Sequence, residues 1–407
     1  MTAPQFGIIN LRPENEPIPV MGADFSKIGI ITTSEDADAG VFPAATLVNF
    51  SSSDPVYLAA LGTGYLADAV KGINAQLGPL GVAADITVVR VAEGASAAAT
   101  LTNVIAGVNL MKSAPEVVNR TPRIIICPGY TASRPDNAAN PVVAALHPVL
   151  NALLAVAIVD GPDSSRAAAE TWREDIQSER IIAVAVSARV WEVDEAVTRP
   201  MSPRIAGLMV RIDNANRGEP FHPIANRPIF GIVGTNRPIA FSLTDGAVEG
   251  QLMLAADLGI VVRGEIGVDT AIADGGFVYI GTESCAEGEL WSQFHQVRGA
   301  DYLTVKMMRI TRRFLGRAIN ADMVEAWLNS IKFMLRDHKA ANDILGYDLE
   351  FPKSLNSPEQ IRLGRLTVRP KIEPAPVFRV ATHEVRRYRP AIDELVATII
   401  SRLSAAS

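Results

Sequence analysis

In this 407-residue chain, few residues have the types and spacing that are typical of a catalytic or ligand-binding site. One turn, Gly62-Thr63-Gly64-Tyr65-Leu66-Ala67, has the letters of the glycine-rich fingerprint that cradles the pyrophosphate of a dinucleotide. That chemistry requires a β-strand directly before the first glycine. The preceding residues, 56–61, have a helical pattern instead. We therefore predict a helix-to-helix turn here and no nucleotide site.

The other reactive side chains form no recognisable catalytic motif. Cys127 and Cys285 lack any CxxC or Cys/His spacing, so we expect two buried thiols rather than a disulfide or a zinc site. The Walker phosphate loop, the nucleophile elbow G-x-S-x-G and the zinc motif H-E-x-x-H are all missing. No histidine lies three or four residues from another; the five are His147, His222, His295, His338 and His383. The sequence thus indicates no catalytic residues, no cofactor and no metal, although an active site built from dispersed residues stays open.

Composition and charge indicate a soluble globular protein of two or three domains. The longest apolar run, residues 152–159, is well short of the roughly 20 residues that cross a bilayer, and the N-terminus lacks a signal-peptide pattern. From Asp301 onward Lys and Arg outnumber Asp and Glu, although the whole chain has a net charge of -6. A basic end is typical of contact with nucleic acid or with an acidic protein surface. Because no nucleic-acid motif accompanies it, we predict no nucleic-acid partner and no membrane insertion.

β-strand patterns and helix patterns alternate along the first part of the chain. β-prone apolar runs lie at 27–32, 86–91, 123–127, 156–160 and 180–186, and helical patterns at 54–61, 65–76, 95–111, 140–154, 164–173 and 201–217. Asp54-Pro55 is a good helix start, since a carboxylate caps the helix and proline suits its first position. These runs predict an α/β sheet domain over residues 23–230, with helices on both faces.

A proline-rich passage, residues 219–238, marks the predicted boundary to a smaller α+β domain over residues 231–395. Its predicted strands are 239–243, 260–263 and 276–281, its helices 245–258, 302–316 and 320–341, and its extended segments 346–351 and 366–380. This second domain carries the basic charge.

Both ends of the chain have short apolar runs without a local partner. Residues 6–11 are β-prone and are separated from the first domain by the proline-rich tether 12–19; residues 396–403 are again rich in β-branched side chains. Apolar strands of this kind add to the sheet of another molecule. We predict an N-terminal arm and tether (1–22) and a C-terminal arm (396–407) that join subunits, although 6–11 could pair within its own subunit. The predicted arm contacts are Phe6, Ile8, Ile9, Leu11, Val396, Thr398, Ile399 and Ile400.

The predicted helix 302–316 has a positively charged face. Its cationic residues, several of which recur at helical spacing, are Lys306, Arg309, Arg312, Arg313 and Arg317. Its apolar stripe consists of Leu303, Met307, Ile310 and Phe314. The charged face either meets an acidic partner or is simply solvated.

The order of several short motifs resembles the tail sheath proteins of contractile-tailed bacteriophages, in the compact form also found in phage-tail-like bacteriocins. The motifs are Ile30-Ile31-Thr32-Thr33-Ser34-Glu35-Asp36-Ala37-Asp38 with Phe42-Pro43, Gly231-Ile232-Val233-Gly234, Arg237-Pro238-Ile239-Ala240-Phe241-Ser242, Leu258-Gly259-Ile260-Val261-Val262-Arg263, and Gly276-Phe277-Val278-Tyr279-Ile280-Gly281. Together they span nearly the whole chain. The sequence departs from the family's aromatic-Gly-Asn/Ala-Arg-Thr stretch, where it has Tyr279-Ile280-Gly281-Thr282-Glu283-Ser284.

The resemblance implies a structural protein and not an enzyme. Family sheaths form stacked six-subunit rings around a rigid inner tube and contract on a signal from the baseplate. The implied partners are therefore further copies of this chain, the inner tail tube protein, the baseplate and the tail terminator. The implied location is the sheath of a virion tail or phage-tail-like particle, assembled in the cytoplasm of a bacterial host. The arms would complete a small sheet in a neighbouring subunit, and the cationic helix face would meet the tube.

Two other interpretations stay open. An α/β enzyme with exchanged termini in a small oligomer predicts a polar pocket at the carboxyl ends of the parallel strands. A nucleic-acid module at the basic end predicts DNA binding that weakens steeply with salt.

Overall fold

A nine-stranded sheet forms the centre of the computed structural model, which describes residues 25–405. The strands of this chain are β1 Ile28–Thr33, β2 Leu47–Ser51, β3 Asp85–Val91, β4 Ile124–Ile126, β5 Val156–Asp160, β6 Ile181–Val184, β7 Ala188–Glu192, β8 Glu195–Arg199, β9 Arg227–Ile229, β10 Gly234–Thr235, β11 Leu258–Arg263, β12 Phe277–Ile280, β13 Ile344–Glu350 and β14 Arg369–Pro374. The central sheet has the order β2-β3-β1-β4-β5-β6-β11-β12-β9. Its inner strands are parallel, and β2, β12 and β9 run antiparallel to their neighbours.

Helices cover the sheet, which confirms the predicted α/β architecture. They are α1 Pro55–Ala59, α2 Tyr65–Leu77, α3 Ala97–Met111, α4 Ala114–Val117, α5 Pro141–Leu153, α6 Arg166–Glu174, α7 Ser202–Ala215, α8 Glu249–Ala255, α9 Phe294–Arg312, α10 Ala321–Ala340, α11 Pro358–Arg362 and α12 Pro390–Ala405. Every residue of β1 and β4 is buried, as expected for strands packed on both faces. The five strands predicted before residue 187 all form, with small shifts at their ends.

Local sequence signals explain several helix ends. The Asp54 carboxylate accepts a hydrogen bond from the Val56 backbone N–H at 3.0 Å, with Pro55 in the first turn. The glycine-rich turn lies between α1 and α2, as predicted. Gly62 has φ +74°, in the left-handed region that glycine tolerates, and the Thr63 backbone N–H donates to Asp36 at 2.9 Å. The turn therefore lacks the preceding strand of a dinucleotide site.

The predicted domain boundary at residue 231 is not a boundary of the sheet. Strand β11 pairs in parallel with β6, and β12 and β9 follow it, so the central sheet continues past the proline-rich passage. Residues 239–243 are not a strand, and helix α8 is shorter than the predicted 245–258. The proline-rich passage itself contributes strand β9 to this sheet.

A second, smaller core lies between α9, α10 and the β13–β14 hairpin. Its buried members are Phe221, Leu303, Trp327, Ile331, Leu335 and Ile344. The predicted apolar stripe is confirmed, because Leu303 is buried and Met307, Ile310 and Phe314 pack against this core. Helix α9 begins at Phe294, well before the predicted start at 302, and ends at Arg312.

Two buried ion pairs fix α7 between its neighbours. The Arg204 guanidinium donates to Asp68 of α2 at 2.8 Å, and Arg298 of α9 donates to Asp213 of α7 at 2.6 and 3.1 Å. All four side chains are at most 2% exposed. Because Arg298 lies in α9, the second pair ties the helix of the small core to the main body.

The chain divides into two compact units after Ala375. The second unit ends in α12, which contains Val396, Thr398, Ile399 and Ile400. The prediction of an extended strand at 396–403 is therefore wrong for this structure. A segment without a neighbouring strand satisfies its backbone hydrogen bonds internally, and a helix does so. The N-terminal arm contacts Phe6, Ile8, Ile9 and Leu11 lie outside the described residues.

Candidate assembly surfaces

The β13–β14 hairpin is an unfinished sheet. Its strands pair antiparallel from Ile344 opposite Pro374 to Glu350 opposite Arg369. Within residues 25–405 neither strand pairs with a third one, so each has an outer edge of backbone donors and acceptors without a neighbouring strand. An isolated two-stranded sheet is marginally stable and is stabilised by further strands or by packing against helices, as this one packs against α9 and α10. Both outer edges of the hairpin are thus open to a further strand.

One side of this hairpin is held in place and the other is open. Tyr347, Leu349 and Ile372 pack against the small core, whereas the Leu345 side chain is 58% exposed. The hairpin therefore has a fixed inner face and an apolar group available on its outer side.

The cationic residues predicted to face a partner do not form one surface. Arg312, Arg313 and Arg317 are exposed, but Arg317 lies beyond the end of α9. Arg309, also exposed, is in the last turn, where a cation interacts favourably with the helix dipole. The Lys306 side chain turns inward instead. The exposed cationic group is accordingly Arg309, Arg312, Arg313 and Arg317, beside the exposed Met308 and Leu315.

Lys306, whose side chain is 31% exposed, is held by a polar network in which His338 and Asp343 are buried. Its ammonium lies 2.7 Å from His338 Nε2, 3.5 Å from a Glu219 carboxylate oxygen and 4.5 Å from the centre of the Tyr302 ring. The other ring nitrogen of His338 contacts Asp343 at 2.7 Å. Sequence spacing gave no sign of this network, because its members come from four separate segments.

This network also contains a possible set of metal ligands. Donor atoms of Glu219, His338 and Asp343 lie within 4.8 Å of one another. The Lys306 ammonium contacts two of these three groups, so it takes the position that a cation would need. The arrangement fits an internal lysine better than a metal ion.

His295 and the two cysteines are buried among structural contacts. His295 is buried and contacts the Ala375 carbonyl oxygen at 3.0 Å, and burial lowers its pKa. Cys127 and Cys285 are free and buried, as predicted. Burial raises the pKa of both thiols, that of Cys285 to about 12, which disfavours a reactive thiolate.

A polar cleft of about 430 Å³ lies at the carboxyl ends of β1 and β3, where the enzyme interpretation predicts a pocket. The Thr33 hydroxyl donates to Glu93 at 2.9 Å, and the Thr63 hydroxyl donates to Asp36. The residues that line the cleft include no histidine, cysteine or lysine. Both of these lining hydroxyls are paired with carboxylates.

A hairpin that the sequence did not reveal projects from the first unit. Strands β7 and β8 are joined by the two-residue turn Val193-Asp194. The Trp191 side chain is 64% exposed and that of Val193 97%. The turn lacks the Asn-Gly or Asp-Gly sequence that normally announces a tight hairpin, which explains why it was missed.

No helix among the described residues is both long enough and apolar enough to span a membrane.

The comparisons with known proteins agree with the resemblance read from the motifs. No family model matches the chain. A protein of Pseudomonas aeruginosa (strain UCBPP-PA14) named "Putative prophage major tail sheath protein" is 26% identical over 250 residues. The alignment covers 61% of this chain and 60% of that protein, so less than two thirds of the relative's length is matched.

Solved contractile structures share the fold over nearly the whole chain. A chain of the anti-feeding prophage helical sheath in its contracted state superposes with a TM-score of 0.65 at 11% identity, covering 95% of this chain and 100% of its own. A chain of the PVC sheath complex, an extracellular contractile injection system in its contracted state, gives 0.64 at 11% identity, covering 94% and 98%. A chain of the anti-feeding prophage baseplate structure gives 0.65 at 11% identity. At such identity the likeness establishes the fold.

The predicted resemblance to contractile tail sheath proteins is thereby confirmed. The proteins compared are components of phage tails or tail-like particles. They support a structural protein rather than an enzyme.

Proposed function

We propose that this chain is the structural subunit of a contractile tail sheath. Copies polymerise as stacked hexameric rings around an inner tube, and contraction of the assembly drives the tube through a cell envelope. The observation that carries the proposal is the unfinished β13–β14 sheet in a chain with a sheath fold. Such a sheet has two open edges to which strands of another copy can add, and no described strand of the same chain pairs there.

The N-terminal arm supplies one of these strands. Its residues Phe6, Ile8, Ile9 and Leu11 form an apolar, β-prone run behind a proline-rich tether. Added to an edge of the hairpin in a neighbouring subunit, the run gains several main-chain hydrogen bonds, each contributing about 0.5–1.5 kcal/mol net. The tether lets the body of the subunit turn while this link persists.

The C-terminal arm supplies the second link through the unit after Ala375. In that unit the apolar Phe378 and Val380, 84% and 81% exposed, alternate with Arg379 and the small Ala381. This alternation is typical of a strand that packs on one face. Helix α12, which carries Val396, Thr398, Ile399 and Ile400, exposes all of its apolar residues. We assign the strand to residues 378–382 and give α12 an apolar contact with a second copy.

Contraction requires a metastable extended lattice with better contacts available after the trigger. Links through the arms are continuous with each chain, so they hold neighbouring subunits together while other contacts break and reform. The baseplate supplies the trigger and the tail terminator closes the far end. Assembly takes place in the cytoplasm of a bacterial host, and the product is a virion tail or a phage-tail-like particle.

The exposed cationic group Arg309, Arg312, Arg313 and Arg317 faces the inner tube. Ion pairs with acidic groups on a tube surface are screened by salt and contribute up to about 1 kcal/mol each when exposed. Contacts of that strength add up in the extended state and release when the sheath widens. Lys306 has no part in this surface because it belongs to the polar network with His338.

Truncation tests the arms. Deleting Met1 to Leu11 is expected to leave a folded monomer that no longer polymerises, as judged by circular dichroism and sedimentation velocity. Deleting residues 376–407, which follow the first compact unit, is expected to have the same effect. The matched control deletes only Met1 to Pro4, which spares the apolar run and leaves polymerisation intact. Normal polymers from either longer truncation would refute the arm proposal.

A further inference from the structure

The tip of the β7–β8 hairpin has an unfavourable backbone and an unfavourable surface. Val193 and Asp194 both have positive φ, +42° and +70°. A β-branched residue rarely adopts this conformation, and asparagine or glycine is preferred at the first position of such a turn. The same Val193 side chain is 97% exposed, so neither local geometry nor burial within residues 25–405 explains its presence.

The tip extends an apolar surface. Trp191, two residues before Val193, is 64% exposed, and Val233, which precedes the paired strand β10, is 56% exposed. These three side chains line one cleft of about 570 Å³, together with Gly231 and Gly72. An exposed tryptophan beside a concave apolar surface is typical of a protein interface.

The charges around the cleft complement those of the tip. Asp194 and Glu195 are exposed at the tip, and the exposed Lys71 lies on the cleft wall. No hydrogen bond or ion pair joins these three side chains to another residue in the described part of the chain. The chain therefore carries an acidic projection with apolar side chains and, next to it, a mixed cleft. The charged lining residues Asp68, Arg204 and Glu192 are already in ion pairs, whereas Lys71 is exposed on the wall.

We propose that the hairpin tip of one copy packs into the cleft beside the hairpin of a second copy. Trp191 and Val193 of the first copy bury their apolar surface there, and Asp194 and Glu195 approach Lys71 of the second. Trp191 and Val193 belong to the tip and also line the cleft, so the contact is reciprocal, and each copy inserts its tip into the cleft of the other. A reciprocal contact of this kind closes into a pair related by a two-fold axis. The proposal rests on the sheath function above, since it supplies a contact between the bodies of the subunits in addition to the arms.

Two substitutions separate this role from a role in folding. Trp191→Ser is expected to weaken self-association about 30-fold or more, the loss typical of an interface tryptophan. Val193→Asn relieves the backbone at the turn, so the thermal midpoint should hold or rise while self-association weakens. The control is Ile266→Asn, because Ile266 is 84% exposed and does not line the cleft. Sedimentation velocity across a concentration series and thermal denaturation are the measurements.

Cross-linking identifies the two surfaces directly. Lys71→Cys and Asp194→Cys are made as separate variants, mixed and mildly oxidised. The native Cys127 and Cys285 are buried and do not compete. The mixture is expected to give several-fold more disulfide-linked dimer than either variant alone. An equal yield from the mixture and from each single variant would overturn the proposal.

The outcomes distinguish this proposal from the sheath function. If the wild type forms hollow cylinders and Trp191→Ser forms them at the same concentration, the hairpin contact is wrong and the sheath stands. If the wild type forms only dimers that Trp191→Ser abolishes, the contact stands and the sheath fails. If the wild type stays monomeric at every concentration, both proposals fail.

Discussion

The buried pair between Arg298 and Asp213 gives the sharpest prediction about stability. Replacing Arg298 with Met removes two hydrogen bonds, of 2.6 and 3.1 Å, from a carboxylate that is 0% exposed. The remaining donor to Asp213 is the Ser26 hydroxyl at 3.0 Å. Removing one partner of a buried pair typically costs about 3–5 kcal/mol. Protonation of Asp213 sets an upper limit to this cost. An ordinary aspartate titrates roughly three pH units below 7, and protonating it at pH 7 requires about 1.4 kcal/mol for each unit. We expect a loss of about 3–4 kcal/mol at pH 7.

The sign of the pH dependence follows from the same argument. In Arg298→Met the folded protein raises the pKa of Asp213, so the variant becomes more stable relative to the wild type as the pH falls from 7 to 5. The change approaches about 1.4 kcal/mol per pH unit. The double variant Arg298→Met/Asp213→Leu should recover most of the loss, because an apolar pair leaves no buried charge.

Urea unfolding of dilute, unassembled protein measures these values. Variants that keep only Trp172 or only Trp327, 1% and 7% exposed, report on the large and the small core separately. The matched control is Arg336→Met, since the Arg336–Asp337 pair is 63% and 71% exposed and should contribute less than about 1 kcal/mol. A loss below about 1 kcal/mol in Arg298→Met, or one that does not change with pH, would refute the reasoning.

Three further predictions concern the core. Gly207→Ala should destabilise the protein by about 1–3 kcal/mol, because the added Cβ would lie 2.9 Å from the Ile73 Cα. Gly246→Ala is the control, since open space surrounds Gly246 and the thermal midpoint should change little. Burial raises the pKa of Asp160 to about 6. The free energy of unfolding of the wild type should therefore fall by up to about 3 kcal/mol relative to that of Asp160→Asn as the pH rises from 4 to 7. Urea unfolding measures this difference, and parallel pH curves for the two proteins would contradict it. Both thiols should be inert to a thiol reagent in the folded protein and react only in denaturant; rapid reaction of native protein would show that they are accessible.

The sequence predicted the central sheet well because its strands are continuous apolar runs. Residues 124–126 are three isoleucines, and α1 begins at Pro55 directly after the capping Asp54. Signals of this kind act over a few residues and need no knowledge of the rest of the chain. They also identified the turn at Gly62 as a link between helices.

Long-range pairing was harder to predict. The proline-rich passage suggested a domain boundary, but β11 pairs with β6 across it, and pairing depends on contacts between distant residues. Lys306 looked like part of a charged face because spacing alone cannot show that Glu219 and His338 lie beside it. The strand expected at 396–403 is a helix, because its residues suit both forms and a strand needs a partner.

Electron microscopy of the purified full-length protein tests the sheath proposal most directly. The account predicts long hollow cylinders with helical symmetry and six subunits per ring, in which density joins the β13–β14 hairpin of each subunit to the ends of its neighbours. Uniform small particles at every concentration, with both ends of the chain folded back on their own subunit, would contradict it.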